Sequence, residues 1–198
     1  MSETKNTSLP ATMLRLGVIL LAVAAAVALV LGLVNAMTAS RIETLNEQTR
    51  AAAMQQVLSA GSYRRAAEEY PELADRIADV DDVYIAYYGD GTFRGWVVEV
   101  TEVGSQGTIT MFVGVDSSYT CTGLSITDSS ETAGLGAIAS QQSAAGEAFR
   151  AQFVGQSGEV LVTKDGGSVD ALAGATITSR AVCSGVTAAI DACRALMS

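Results

Sequence analysis

The chain has 198 residues and a mass of 20.4 kDa, which is room for one ordinary domain and an appendage. Its formal net charge is −9, and it contains no run of basic residues that could follow a phosphate backbone, so we predict no nucleic-acid partner. It has no histidine and only three cysteines, none in a C-x-x-C pair, so we predict neither a zinc site nor an iron–sulfur cluster.

An uncharged and strongly apolar stretch lies near the N-terminus. No charged residue occurs between positions 16 and 40, and about 20 apolar residues suffice for a helix to cross a bilayer. We therefore predict a transmembrane helix over residues 16–37. A cleaved signal peptide is the alternative, but its apolar core would be only about 7–15 residues long.

The charges on either side of this span predict its orientation. Lys5 and Arg15 precede the span, whereas Arg41 follows it together with two glutamates. The positive-inside rule then makes residues 1–15 a cytoplasmic tail and puts everything after about Arg41 outside the cytoplasm. The sequence thus predicts a single-pass protein of the cytoplasmic membrane with an extracytoplasmic domain.

The residues after the span predict a helical stalk and then a sheet. Residues 38–80 form the predicted stalk, in which 38–60 are rich in Ala, Gln and Glu and 63–77 are interpreted as short helical pieces. Residues 81–198 form the predicted domain. Its first half contains runs rich in β-branched and aromatic residues, separated by turn signals at residues 89–91, 104–107 and 116–118. These runs predict strands over 83–88, 93–101, 108–115 and 120–127.

The second half of the domain is predicted to be mainly helical. We predict a helix over residues 137–154, a strand over 159–163 and a final helix over about 178–196, which has apolar residues on one face. Because antiparallel strands are followed by segregated helices, the predicted fold class is α+β.

The three cysteines carry no predicted chemistry. Cys183 and Cys193 fall in the final predicted helix, where ten residues separate them by about 15 Å, too far for a disulfide. We interpret both, together with Cys121, as small buried hydrophobic residues.

Two loops that are rich in small and hydroxyl-bearing residues each precede a predicted helix. Residues 129–136 read Ser-Ser-Glu-Thr-Ala-Gly-Leu-Gly, and residues 170–179 read Asp-Ala-Leu-Ala-Gly-Ala-Thr-Ile-Thr-Ser. In the second loop the small residues leave the backbone accessible to a bulky group, and the start of the helix attracts an anion. A phosphate site is one interpretation, and an N-cap formed by Thr178 or Ser179 is the other.

Both loops resemble motifs of a known family. Residues 170–176 resemble the acceptor motif of flavin transferase, in which an aspartate lies three residues ahead of Ser-Gly-Ala-Thr. Residues 131–136 resemble the Glu-Thr-Pro-Gly-Leu-Gly signature of the RnfG family, which comprises the G subunits of the Rnf electron-transport complex. The same family also includes a subunit of the sodium-pumping NADH:quinone reductase. The resemblance covers nearly the whole chain, and it departs at Ala173, where Ser is usual, and at Ala133, where Pro is usual.

The resemblance implies that flavin mononucleotide (FMN) is attached through its phosphate to Thr176, by a transferase that takes it from FAD and releases AMP. Such a phosphoester needs only a hydroxyl, whereas the common covalent flavin link to a histidine ring is impossible in a chain without histidine. The resemblance implies a role in transferase recognition for Asp170. The other implied cofactor residues are Gly174, Ala175, Thr178 and Ser179 around the phosphate, and Glu131, Thr132, Leu135 and Gly136 against the isoalloxazine ring.

The resemblance also implies an electron-carrying subunit without a substrate site of its own. It would belong to a membrane complex that couples electron transfer between ferredoxin and NAD to the movement of Na⁺ or H⁺. Its implied partners are the other membrane subunits of an Rnf-type complex and, during maturation, the flavin transferase. Two other functions stay open: a membrane-anchored FMN protein of another respiratory or extracellular electron-transfer pathway, and, from a different class, a cofactor-free membrane-anchored binding module.

Overall fold

The computed structural model describes residues 9–71, 77 and 79–197. The chain divides into two compact units, residues 1–48 and residues 49–198. The first eight residues of the predicted cytoplasmic tail and residues 72–76 and 78 of the predicted stalk lie outside the described residues. The proposed boundaries of tail, span, stalk and domain stay predictions.

The first helix, α1 (Leu9–Val57), contains the apolar stretch. Its large hydrophobic side chains are exposed between positions 13 and 37, and Leu20 and Leu29, for example, expose 71% and 70% of their surface. Within the described part of the chain, this is the one helix that is long and apolar enough to cross a membrane.

The described residues of the unit 49–198 are built on one five-stranded antiparallel sheet in which every strand pairs with its neighbour along the chain. Four of these strands lie where the sequence predicts them, because they are rich in β-branched or aromatic residues and are separated by turn sequences. The strands are β1 (Ser62–Arg65), β2 (Asp82–Tyr87), β3 (Phe93–Val103), β4 (Thr108–Asp116) and β5 (Cys121–Ser129).

Strand β1 corrects the prediction of helical pieces over residues 63–77. Ser62–Arg65 pairs with β2 in antiparallel register, and the short helix α2 (Ala66–Glu69) follows it. The sequence Ser-Tyr-Arg-Arg has no apolar alternation, so its strand conformation comes from the free edge of β2 and not from local preference.

The segment between the sheet and the final helix also differs from the prediction. In place of one helix over 137–154 there is a 3₁₀ turn at Gly136–Ala139, followed by α3 (Ala144–Ala151). The break has a local cause, because the Ser143 hydroxyl accepts a hydrogen bond from the Gly146 amide and thereby caps a new helix.

The predicted strand over residues 159–163 is wrong. Only a single bridge, Val162 to Val169, forms there, and a 3₁₀ turn follows at Thr163–Asp165. Val160 and Val162 are buried all the same. The Val160 amide donates to the Thr187 hydroxyl at 2.9 Å, so this segment bonds to the final helix, α4 (Thr176–Met197), and not to a strand edge.

Both faces of the sheet are covered, which makes the burial of β3 continuous. Trp96, Val98 and Val100 pack into the main core together with the apolar face of α4. On the other face, Val97 packs with Phe112 and with the last turns of α1. This arrangement of one antiparallel sheet and segregated helices confirms the α+β fold class.

Residues 49–57 of α1 are fastened to the sheet by close backbone approach. A Cβ on Gly114 would come within 2.5 Å of the Val57 carbonyl oxygen, and the Thr122 hydroxyl donates to that same oxygen at 2.7 Å. Arg50 adds an ion pair with Glu99 of β3. The end of the helix therefore packs directly against the strands.

The cysteines are buried and free, as the sequence predicts. Burial raises the pKa of the Cys121 thiol to about 11, so it stays protonated at neutral pH. This agrees with the interpretation of these residues as small hydrophobic groups.

Replacing Phe112 tests the packing between α1 and the sheet. Phe112 is 1% exposed, so we expect Phe112→Ala to lower the free energy of unfolding of the full chain by about 3–5 kcal/mol. Val103→Ala is the control, because Val103 is 76% exposed and should change stability by less than about 0.5 kcal/mol. Denaturant titration in detergent measures both, and equal midpoints would contradict the described packing.

Candidate functional site

A pocket of about 300 Å³ lies where the two sequence loops meet the start of α4. It brings together all but one of the predicted cofactor residues. Their role at a cofactor stays a prediction. The pocket is lined by Ser105, Glu131, Thr132, Leu135, Gly136, Lys164, Gly174, Ala175, Thr176, Ile177 and Thr178.

A larger cavity, of about 690 Å³, runs along α4 and shares no lining residue with this pocket. Its walls include Glu102, Asp165 and Ser184 and none of the loop residues. Volume is therefore a poor guide here, and we identify the smaller pocket as the candidate site because the chemically distinctive loops converge on it.

The carboxylate of Glu131 joins three segments of the pocket wall. Its Oε1 atom accepts hydrogen bonds from the backbone amides of Ser105 at 2.7 Å and Gln106 at 3.0 Å. Its Oε2 atom accepts from the Thr178 hydroxyl at 2.5 Å. Glu131 thus links the β3–β4 turn to the first turn of α4, a structural role that the sequence does not predict.

These hydrogen bonds also set the ionisation of Glu131. Partial burial raises the pKa of the carboxyl, but the bonds from Thr178, Gln106 and Ser105 outweigh burial and leave the pKa below its ordinary value of 4.5. Glu131 is therefore a carboxylate at neutral pH, and its negative charge is directed at protein donors.

Two glycines allow the loops to approach each other this closely. A Cβ on Gly136 would overlap Glu131 Oε2 and lie 2.5 Å from the Thr178 hydroxyl oxygen, so a side chain there would break their hydrogen bond. Gly174 has φ +73°, a left-handed conformation that favours glycine, and its Cβ would lie 3.0 Å from a Leu135 methyl carbon. The two loops are therefore in contact with each other.

Thr176 is the first residue of α4 and is half-buried in the pocket. The amides of Ala175 and Ser179 bond to the carbonyls of Leu172 and Ala175. The first amides of a helix have no partner within it, so those of 176–178 are available as donors. Together with the helix dipole, they make this end of the pocket suited to an anion.

Ser179 and Asp170 do not line the pocket. The Ser179 side chain is fully buried. Its hydroxyl donates to the Ala175 carbonyl at 2.9 Å and accepts from the Leu172 amide at 3.0 Å, so it closes the turn before α4. Asp170 is exposed on the surface, where its backbone bonds to the side chain of Gln152.

Three pocket residues are missed by the sequence analysis: Ser105, Lys164 and Ile177. The Lys164 ammonium group donates to the Thr176 hydroxyl oxygen at 3.3 Å. A signal for it was available, because Lys164 is one of only two lysines in the chain, the other being Lys5.

Two known protein families match this chain, one in its second half and the other at its N-terminal end. The family described as FMN-binding domain matches residues 104–191, which include every residue that lines the pocket. The family described as RnfG N-terminal region matches residues 1–57.

Three relatives are similar over much of their length. The G subunit of the ion-translocating oxidoreductase complex of Methanosarcina acetivorans is 32% identical over 88% of this chain and 90% of the relative. The G subunit of the Na⁺-translocating ferredoxin:NAD⁺ oxidoreductase complex of Acetobacterium woodii is 34% identical over 89% of each chain. The chain belongs to the RnfG family of ion-translocating oxidoreductase complexes. A third member of this family, from the proton-translocating ferredoxin:NAD⁺ oxidoreductase complex of Clostridium ljungdahlii, is 38% identical over 56% of this chain and 58% of the relative.

Replacing Glu131 tests the link that organises the pocket of this RnfG-family protein. Hydrogen bonds to a charged acceptor contribute about 1.5–3 kcal/mol, and less where solvent reaches them. We therefore expect Glu131→Gln to speed amide hydrogen exchange at Ser105 and Gln106 by about tenfold. Glu147→Gln, at an exposed position of α3, should leave these rates unchanged, and so should Glu131→Gln if the link did not exist.

The same link predicts a pH dependence. Because the pKa of Glu131 is lower in the folded state than its ordinary value of 4.5, its stabilising contribution is complete above that value and is lost as the pH falls through the lower folded-state pKa. Protection of the Ser105 and Gln106 amides should therefore decline only below about pH 4.5 in the wild type. Protection in Glu131→Gln should lack this step.

Proposed function

We propose that the protein is the electron-carrying subunit of a membrane-bound Rnf-type complex and that its cofactor is FMN, attached through a phosphoester bond to Thr176. The observation that carries the proposal is the position of the Thr176 hydroxyl, in a pocket formed by both motif loops. The names of the relatives support the wider role, because they describe subunits of ion-translocating ferredoxin:NAD⁺ oxidoreductases.

The residues of the pocket fit the phosphate end of FMN. The amides at the start of α4 and the Lys164 ammonium group supply donors for an anion. The left-handed backbone at position 174 favours glycine, and Gly174 therefore leaves no side chain beside Thr176.

The size of the pocket limits what it encloses. A volume of about 300 Å³ is at the lower end for sites that enclose a small molecule. Leu135 and Ile177 line the pocket and are 43% and 56% exposed, so they offer apolar surface to the isoalloxazine ring at the rim. This arrangement leaves the ring accessible to an electron-transfer partner.

Attachment requires a flavin transferase as a partner during maturation. The Thr176 oxygen bonds to the phosphorus at the FMN end of FAD, and the bond from that phosphorus to the bridging oxygen breaks. AMP leaves with the bridging oxygen, and the hydroxyl proton passes to solvent. Asp170 is exposed six residues before Thr176, so a transferase can contact it. Ala173 is also exposed and keeps the small size of the usual serine.

The attached flavin supplies one-electron redox chemistry, and the chain binds and orients it. We expect no independent substrate site and no metal ion. The partners that we propose are the other membrane subunits of the Rnf-type complex, which couples electron transfer to the movement of Na⁺ or H⁺. The flanking charges favour a cytoplasmic N-terminus and an extracytoplasmic FMN domain.

Intact-protein mass spectrometry tests the attachment. Wild-type protein made together with the transferase should be heavier by one FMN less one water, and Thr176→Val should lack this addition because it keeps the shape of threonine without the hydroxyl. Thr176→Ser is the matched control and should retain the addition. An unmodified wild type from cells that contain an active transferase would overturn the proposal.

Protease treatment of sealed cells tests the orientation. We expect protease added outside to degrade residues 49–198 and to leave an N-terminal tag intact, because the positive residues before the span hold that end in the cytoplasm. Detergent-permeabilised cells are the control and should lose the tag as well. Protection of the domain in sealed cells together with cleavage in permeabilised cells would contradict the proposed topology.

A further inference from the structure

We propose that Lys164 is the counter-cation for the phosphate group at Thr176. The proposal rests on the FMN attachment proposed above and assigns a role to a residue outside both motif loops. Its ammonium group lies 3.3 Å from the Thr176 hydroxyl oxygen, the atom that would become the ester oxygen.

The charges of the pocket favour such a cation. Among the described residues that line it, Lys164 has the only basic side chain and Glu131 has the only acidic one. A phosphodiester at Thr176 would add a second negative charge to the pocket, and this charge and the Glu131 carboxylate would repel each other. Glu131 already accepts from Ser105, Gln106 and Thr178, so it has no need of Lys164, whose charge is available to the phosphate.

The backbone around Lys164 is held in place by the helix that carries Thr176. Arg180 lies one turn further along α4 and binds both carboxylate oxygens of Asp165, at 2.6 and 2.8 Å. Asp165 directly follows Lys164, and its amide bonds to the Val162 carbonyl at 2.9 Å. The turn that carries Lys164 is therefore linked to the helix that carries Thr176 by an ion pair at the surface, while the lysine side chain itself keeps its flexibility.

The residue type also fits this role. The chain has ten arginines but only two lysines. A lysine ammonium group is a compact point charge on a flexible stem, which can follow a phosphate oxygen. The alternative is that Lys164 is an exposed turn residue whose contact with Thr176 has no consequence, and two measurements separate the two.

The first measurement is the rate of amine acetylation at each lysine. The chain suits this measurement because its other lysine, Lys5, serves as an internal control. With FMN attached, we expect Lys164 to be acetylated about tenfold more slowly than in protein made without transferase, because its ammonium group is bound to an anion. Lys5 should react at the same rate in both samples. Equal reactivity of Lys164 in the two samples would overturn the proposal.

The second measurement is the initial rate of FMN addition by the transferase, followed by intact mass. We expect Lys164→Gln to slow the addition about tenfold, because it removes a charged donor, and Lys164→Arg to stay within about threefold of wild type, because it restores the charge. Arg94→Gln removes the same charge at an aromatic contact with Tyr88 on the β2–β3 hairpin and should match wild type.

These outcomes separate the two proposals. If wild type gains FMN and Lys164→Gln gains it at the same rate, the role of Lys164 is wrong and the attachment stands. If wild type gains no FMN in the presence of active transferase, both are wrong. Circular dichroism of each variant establishes that it is folded before its rate is compared.

Discussion

The candidate site depends on the hydrogen bonds of one carboxylate. Glu131 holds the amides of the β3–β4 turn with one oxygen and the Thr178 hydroxyl with the other. These segments are distant in sequence, and together they make much of the pocket wall. Because all three contacts share this one carboxylate, its removal would release the β3–β4 turn and the first turn of α4 from each other.

The sheet and α4 determine where this carboxylate can act. The apolar face of α4, including Val182, Val186 and Ile190, is buried against the main core. This packing fixes the axis of the helix and hence the position of its first turn, where Thr176 and Thr178 lie. The loops themselves consist largely of small residues that bury little apolar surface. The position of the loops is therefore determined by the packed core, and the hydrogen bonds of Glu131 hold the loops against the start of α4.

Much of this architecture is predictable from sequence because strands β2–β5 and helix α4 have strong local patterns. The exceptions have tertiary causes. Strand β1 takes its conformation from the edge of β2, and the segment around Val160 bonds to a hydroxyl of α4 in place of a strand. The motif loops identify most of the pocket, but Ser179 is used inside its own turn. Lys164 lies outside both motif loops in the sequence, and it lines the pocket because the fold places its turn beside Thr176.

The shape of the pocket gives a physical reason for a covalent tether under the proposed function. A pocket of about 300 Å³ covers only part of a ligand with the size of FMN, and the apolar side chains at its rim, Leu135 and Ile177, stay exposed. Non-covalent affinity depends on surface that is removed from water, so an open rim favours dissociation. A closed pocket would retain the flavin but would keep electron-transfer partners away from it. Under the proposal, a bond at Thr176 would remove this conflict, since the phosphate end would provide retention and the ring end would remain accessible.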